Sequence, residues 1–261
     1  MAVALATAPT VVVTTSAHAS GPAKPLTLSA SWGPGARSGA RAPLRLALTT
    51  SPHAPTVEDV RIFLAAGIDL AGTRLGDEAC RILPSVFGEV LLGRVGGDPP
   101  CPRNALIGVG EATAVLRVNE YEPPIFGSGR LSLFNAVEHQ GHGGPGIAVT
   151  VNTDRPIVST LFYSGDLSST RPPYGLRIRI RVPQPRRPPF GATVALRRLV
   201  LDVGSPEILY SAKRRGRTVY YRPGGFERPR DCDRIRGLSF RAEVRFAGGS
   251  RGVATTRISC S

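Results

Sequence analysis

Four cysteines carry the clearest chemistry in this chain. Cys80 lies near Cys101, and Cys232 lies near Cys260. Zinc sites gather ligands at close spacing such as C-x-x-C, and no such spacing occurs here. An even number of well-separated cysteines reads instead as disulfides. Four cysteines allow three pairings, and Cys80–Cys101 with Cys232–Cys260 close the shortest loops. By loop entropy each bridge of that size is worth roughly 3 kcal/mol.

The other residues that could do chemistry are weaker. Glu138, His139 and His142 share a glycine-rich loop, but a metal needs three or four converging ligands. Ser164 and Asp166 are neighbours in sequence, which says little about a triad. Asp154, Asp166 and Asp202 read as turn and strand-end residues. Gly108 and Gly110 lack the spacing and following helix of a phosphate loop; after Cys101-Pro102 they describe a tight approach to a strand. There is no G-x-S-x-G, no H-E-x-x-H and no paired-carboxylate signature. No catalytic residue, metal site or cofactor is therefore assigned, and an enzyme is not the favoured reading.

Arginine is the residue whose placement suggests a partner. Residues 1–170 carry 12 basic and 13 acidic side chains, whereas residues 171–261 carry 21 basic and 6 acidic ones. Only Lys24 and Lys213 are lysines. A GC-rich genome accounts for arginine over lysine, though not for the excess in the last third. Side chains alternate along a strand, so Arg177, Arg179 and Arg181 share one face at roughly 6.5–7 Å spacing. Arg197, Arg198, Arg214 and Arg215 extend the set, with Arg186, Arg187, Lys213 and Arg217 nearby and Tyr174, Tyr210, Tyr220 and Tyr221 among them. Guanidinium groups suit bidentate contact with phosphate or carboxylate. The partner class this charge allows is an anionic glycan or other acidic polymer, with nucleic acid disfavoured. The competing reading is a solvated sheet face that keeps the protein soluble. If the three arginines of 177–181 are plain surface, replacing them with Gln costs little stability.

These side chains need strands to hold them. Period-2 alternation predicts strands at 26–32, 44–48, 60–64, 147–151, 176–182 and 238–246, each with one buried face. The segment Val194–Val203 also alternates, but its phase slips at Arg197-Arg198; a bulge there restores one apolar face. Short helical turns are expected around residues 75–92. Segments 33–42, 183–191 and 222–229 read as loops. With 30 glycines and 24 prolines, the chain suits many short strands joined by turns. The expected fold is all-β, a mostly antiparallel β-sandwich forming one domain over 20–261. Each side of residue 130 owns one cysteine pair, which leaves a two-domain split near 125–130 open.

Residues 1–19 are mostly apolar and end in Ala17-His18-Ala19, a small-x-small pattern that marks a signal-peptidase site. A basic residue ahead of the apolar stretch is missing. Cleavage would leave Ser20 as the first residue, and no later stretch is long and apolar enough to span a bilayer.

The string Cys101-Pro102…Ile107-Gly108-Val109-Gly110-Glu111-Ala112 resembles a loose group of uncharacterised exported actinobacterial proteins. Upstream Cys80, Phe134-Asn135-Ala136, Tyr174-Gly175 and the late Cys232 and Cys260 fit the same resemblance, which spans roughly residues 75–260. It implies an exported β protein and brings no activity with it. The expected function is a secreted or surface, non-catalytic binding module. The alternatives are a cell-envelope hydrolase with an unrecognised site and a purely structural envelope protein.

Overall fold

Alternating apolar and polar side chains commit nearly the whole chain to strands. The structure, a computed structural model, describes residues 13–15, 26–34, 36–51, 54–68, 75–80, 90–92, 101–117, 121, 123–137, 145–155, 159–182, 193–230, 232 and 237–259. Its strands are β1 (Val13–Thr15), β2 (Leu26–Trp32), β3 (Arg41–Ala42), β4 (Leu44–Thr50), β5 (Val57–Ala65), β6 (Val90–Leu92), β7 (Leu106–Arg117), β8 (Ile125–Val137) and β9 (Pro145–Arg155). They continue with β10 (Ser159–Ser169), β11 (Tyr174–Arg181), β12 (Thr193–Val203), β13 (Tyr210–Arg214), β14 (Arg217–Tyr221), β15 (Phe226–Glu227), β16 (Leu238–Phe246) and β17 (Arg251–Ile258). The protein is all-β, and every strand pairing is antiparallel.

One sheet of 13 strands dominates, in the order β1-β17-β16-β5-β11-β10-β9-β8-β7-β12-β4-β2, with β6 added beside β10. The sheet curls until β2 lies against β17 and β16 without hydrogen-bonded pairing between them, so it is nearly a closed barrel. The two facing layers expected of a sandwich thus come from one sheet. Accumulated strand twist makes so wide a sheet close on itself. Its concave face is filled with Leu28, Leu44, Leu46, Leu48, Ile62, Leu64, Leu133, Ile147, Ile178, Leu201, Phe240 and Val244, all buried. At roughly 25 cal/mol per Å² of apolar surface, this lining supplies the main drive to fold.

The bulge expected in β12 is present. Register against β7 shifts between Leu196 and Arg198, and the extra residue returns Leu196 and Leu199 to the same core. Gly108 and Gly110 lie inside β7, not before it. A Cβ on Gly110 would overlap the backbone carbonyl of Val200 in β12, so the glycine permits close strand approach.

Elsewhere the local pattern misled. Within 75–92, described residues form a turn at Leu75-Gly76, a bend at Asp77-Glu78 and strand β6. The expected helical turn is not found among them; residues 81–89 lie outside the described set. The segments read as loops at 33–42 and 222–229 are stitched together by β3 and β15; residues 183–191 lie outside. Of the expected signal segment only Val13–Thr15 is described, as β1 along the edge of β17.

A second, smaller core sits on the outer face of the sheet. Cys80, Ala105, Phe134, Ala136 and Ala148 are buried together, with Cys101 and Leu106 against them. Cys80 and Cys101 are joined by a disulfide with a Cα–Cα separation of 4.5 Å. Cys232 is fully buried and disulfide-bonded; Cys260 lies outside the described residues.

Candidate functional site

The arginines of β11 stand on the convex face of the sheet, opposite buried Ile178 and Ile180. They do not stand there alone. Strand order places β10 on one side of β11, then β5 and β16 on the other, and each contributes carboxylates. Arg181 meets Asp166 at 3.0 Å and Arg177 meets it at 3.8 Å. Arg179 donates to Asp59 at 2.6 Å, and Arg61 donates to the other oxygen of Asp59 at 2.8 Å. Arg241 pairs with Glu243 at 2.6 Å, Arg61 reaches the same Glu243 at 3.9 Å, and Arg245 pairs with Glu58 at 3.2 Å. Six arginines therefore face four carboxylates, and every one of the six has an acidic partner. Between Arg177 and Arg241 the register sets Phe63, with the Arg241 guanidinium 5.9 Å from the ring centre.

Asp59 changes the energetics of this face. Its side chain is only 2% exposed, so its charge relies on Arg61 and Arg179. A buried carboxylate stripped of its cations costs several kcal/mol. Replacing the β11 arginines is therefore not the neutral surface change expected from sequence.

Other arginines of the C-terminal third turn inward and hold loops. Arg197, the extra residue of the β12 bulge, donates through Nη1 to the carbonyl of Ser51 and, at 3.4 Å, to that of Ala54. Burial, and secondarily the nearby Arg117 charge, lower its pKa. Arg228 is buried and donates to the carbonyl of Ala36 at 2.8 Å. Arg198 is exposed on β12, apart from Arg197.

The remaining basic residues gather on a separate two-stranded hairpin, β13–β14. Its register places Arg214 directly opposite Arg217 and Lys213 opposite Thr218. Arg215 at φ 50 and Gly216 at φ 77 form the two-residue turn, whose positive φ values match strand twist. Lys213, Arg214, Arg215 and Arg217 are all exposed. None makes a side-chain hydrogen bond or ion pair with a described residue. Like charges directly opposite on a hairpin are destabilising, and a non-glycine residue in the left-handed region adds strain. Val219 and Tyr220, 41% and 57% exposed, lie on the same hairpin.

The base of this prong is fixed as firmly as its tip is free. Tyr210 is fully buried. Its hydroxyl donates to the carbonyl of Leu106 at 2.7 Å and accepts from the amide of Gly76 at 2.9 Å. Burial pushes that phenol up to about 12. Its ring meets Tyr221 edge-on, with centroids 5.7 Å apart, and the Tyr221 hydroxyl donates to Asp77 at 2.8 Å. The Asn104 side chain donates to the carbonyl of Ser211 at 2.8 Å and accepts from its amide at 2.9 Å.

The seven arginines singled out from sequence thus fall into four settings. Arg177, Arg179 and Arg181 share the ion-paired face, Arg197 is half-buried and holds a loop, Arg198 stands apart, and Arg214 and Arg215 belong to the prong. Sequence reasoning missed Asp59, Asn104 and Asp77, which hold the two regions in place. Asp59 sits in the apolar run of β5, a position where a carboxylate calls for a cation; that was the one available signal.

Among the other candidates, Asp166 is engaged by two arginines. Asp202 pairs with Arg45 at 3.1 Å; its pKa is nonetheless raised, by burial above all. Glu138, His139, His142, Arg186 and Arg187 lie outside the described residues. Among the described residues no cluster of three His, Cys, Asp or Glu could hold a metal ion. No family model matches the chain, and neither a curated protein nor a solved structure matches it.

Proposed function

We propose that this protein is an exported, non-catalytic binding module, and that its β13–β14 prong captures anionic polymers of the cell envelope, such as phosphate- or carboxylate-bearing glycans. One observation carries the reading: four cations on a firmly anchored hairpin have no carboxylate partner among the described residues, while the arginines of the sheet face do. Unpaired guanidinium groups keep their donors available for phosphate or carboxylate oxygens. Tyr220 adds an exposed ring against which a sugar ring can lie. The Cys80–Cys101 disulfide suits an oxidising compartment. No helix of the described residues is long and apolar enough to cross a membrane.

The test compares two sets of Gln variants for binding to polyphosphate and to a polyuronate. Changing Lys213, Arg214, Arg215 and Arg217 together is expected to abolish salt-sensitive binding, with each exposed change costing less than about 0.5 kcal/mol of stability. Changing Arg177 and Arg181 together is expected to leave binding near wild type. Undiminished binding by the prong variant would refute the reading.

A further inference from the structure

We propose that the Cys80–Cys101 disulfide is the positioning clamp of the prong, so that hairpin order, and with it anion capture, depends on this one bond while the barrel does not. The proposal rests on the prong reading above and adds the residues that hold it in place.

The side-chain hydrogen bonds of Tyr210 and Asn104, and that of Tyr221 to Asp77, tie the prong to two short segments outside the main sheet or at its margin. Gly76 and Asp77 belong to the segment 75–80, and they hold Tyr210 and Tyr221 respectively. Asn104 and Leu106 belong to the segment 101–106, and they hold Ser211 and Tyr210. Each segment carries one cysteine, and the two cysteines bond to each other. The Tyr210 hydroxyl is the meeting point, since it bonds one segment as acceptor and the other as donor.

Both segments also have ties to the sheet: Leu75 is buried in the main core, Cys80 bridges to Ala136, and Leu106, the first residue of β7, pairs with Phe134. Segment 75–80 is tied to β8 through Asn135, whose side chain donates to the carbonyls of Gly76 at 2.9 Å and Glu78 at 3.1 Å. The Cys80 amide returns a bond to the Asn135 carbonyl at 2.7 Å. The other segment contains a single 3-10 turn, Arg103–Ala105. Segment 75–80 is not a strand and segment 101–106 enters the ladder only at its last residue, Leu106, so the disulfide is the one covalent tie that sets their mutual spacing. That spacing is what Tyr210 and Tyr221 need in order to reach both sides at once. The barrel core belongs to a different cluster, which contains neither Cys80 nor Cys101. Loss of the bridge therefore loosens the hairpin before the sheet.

Hydrogen exchange of the full chain reads this directly. In a Cys80→Ser/Cys101→Ser protein, amides of residues 211–220 are expected to exchange about tenfold faster, the signature of easier local opening. Amides of β9 and β16 keep wild-type protection, and polyphosphate binding weakens together with prong order. Unchanged exchange at 211–220 in the folded variant overturns the clamp. Should that variant fail to fold, Cys80→Ala/Cys101→Val serves instead, because it removes the bridge while filling more of its buried volume. Faster exchange confined to the prong supports the clamp there, and none overturns it. Faster prong exchange with undiminished polyphosphate binding leaves the clamp standing and removes the prong from the proposed function.

Discussion

The convex face of β10, β11, β5 and β16 and the β13–β14 prong are both built on arginine-bearing strands, yet only on the first does every arginine have an acidic partner. On the sheet face, strand order brings Asp166, Asp59, Glu243 and Glu58 within reach of six arginines, so that each arginine has an acidic partner. On the prong, the directly facing pair is Arg214 with Arg217, and neither strand offers a carboxylate. Basic composition alone therefore does not define a binding surface. What matters is whether the neighbouring strand supplies the counter-charge. The sheet face spends its arginines on its own cohesion, whereas the prong leaves its cations to an outside partner.

The comparison is broken most forcefully at Asp59. Changing Arg61 and Arg179 together to Gln leaves that buried carboxylate without its cations, and a loss of about 3–5 kcal/mol is expected in urea unfolding. Adding Asp59→Asn to the same protein should restore much of the loss, because the uncompensated charge is gone; no recovery would mean that the cost lies elsewhere. A middle-sized effect is expected at the root of the prong. Tyr210→Phe strips two hydrogen bonds from a buried site and should cost about 1–3 kcal/mol. The same residue has a pH signature. Its folded pKa lies above its unfolded value, so its contribution is whole below about pH 10 and is lost as pH rises toward about 12. Alkaline unfolding curves of wild type and Tyr210→Phe should accordingly converge in that window. The smallest effect sharpens the contrast. Arg217→Glu imports the sheet-face solution into the prong by setting a carboxylate opposite Arg214. It should stabilise the hairpin by about 0.2–1 kcal/mol while weakening polymer binding, which a melting curve and a binding isotherm check separately.

Period-2 alternation placed β2, β4, β5, β9, β11, β12 and β16, because each turns an apolar face to the core, but it did not mark the long strands β7, β8, β10 and β17. The phase slip at Arg197-Arg198 was legible for the same reason: only a bulge keeps Leu196 and Leu199 on one side. Closure of the sheet was not legible. It depends on which strands become neighbours, and β5 finds β11 and β16 far along the chain. Asp59 escaped notice with it, since its partners lie on the neighbouring strand and two residues along its own. Tyr210, Tyr220 and Tyr221 looked alike in sequence. Only packing separates the buried anchor from the exposed Tyr220. The two-residue strands β3 and β15 lack enough length to show any period.

The strand order also sets a timetable. β5, residues 57–65, is flanked by β11 and by β16, which ends at Phe246. β4 pairs early with β2 but gains its other neighbour, β12, only later, and β2 meets β17 only when the last strand exists. β2, β4 and β5 each gain a late neighbour, whereas β7 to β11 pair consecutively. The long-range pairings raise the contact order, and topologies rich in them fold on the millisecond-to-second scale. During synthesis β5 therefore has no strand neighbour until β11 is made, and the sheet cannot curl shut until β16 and β17 arrive.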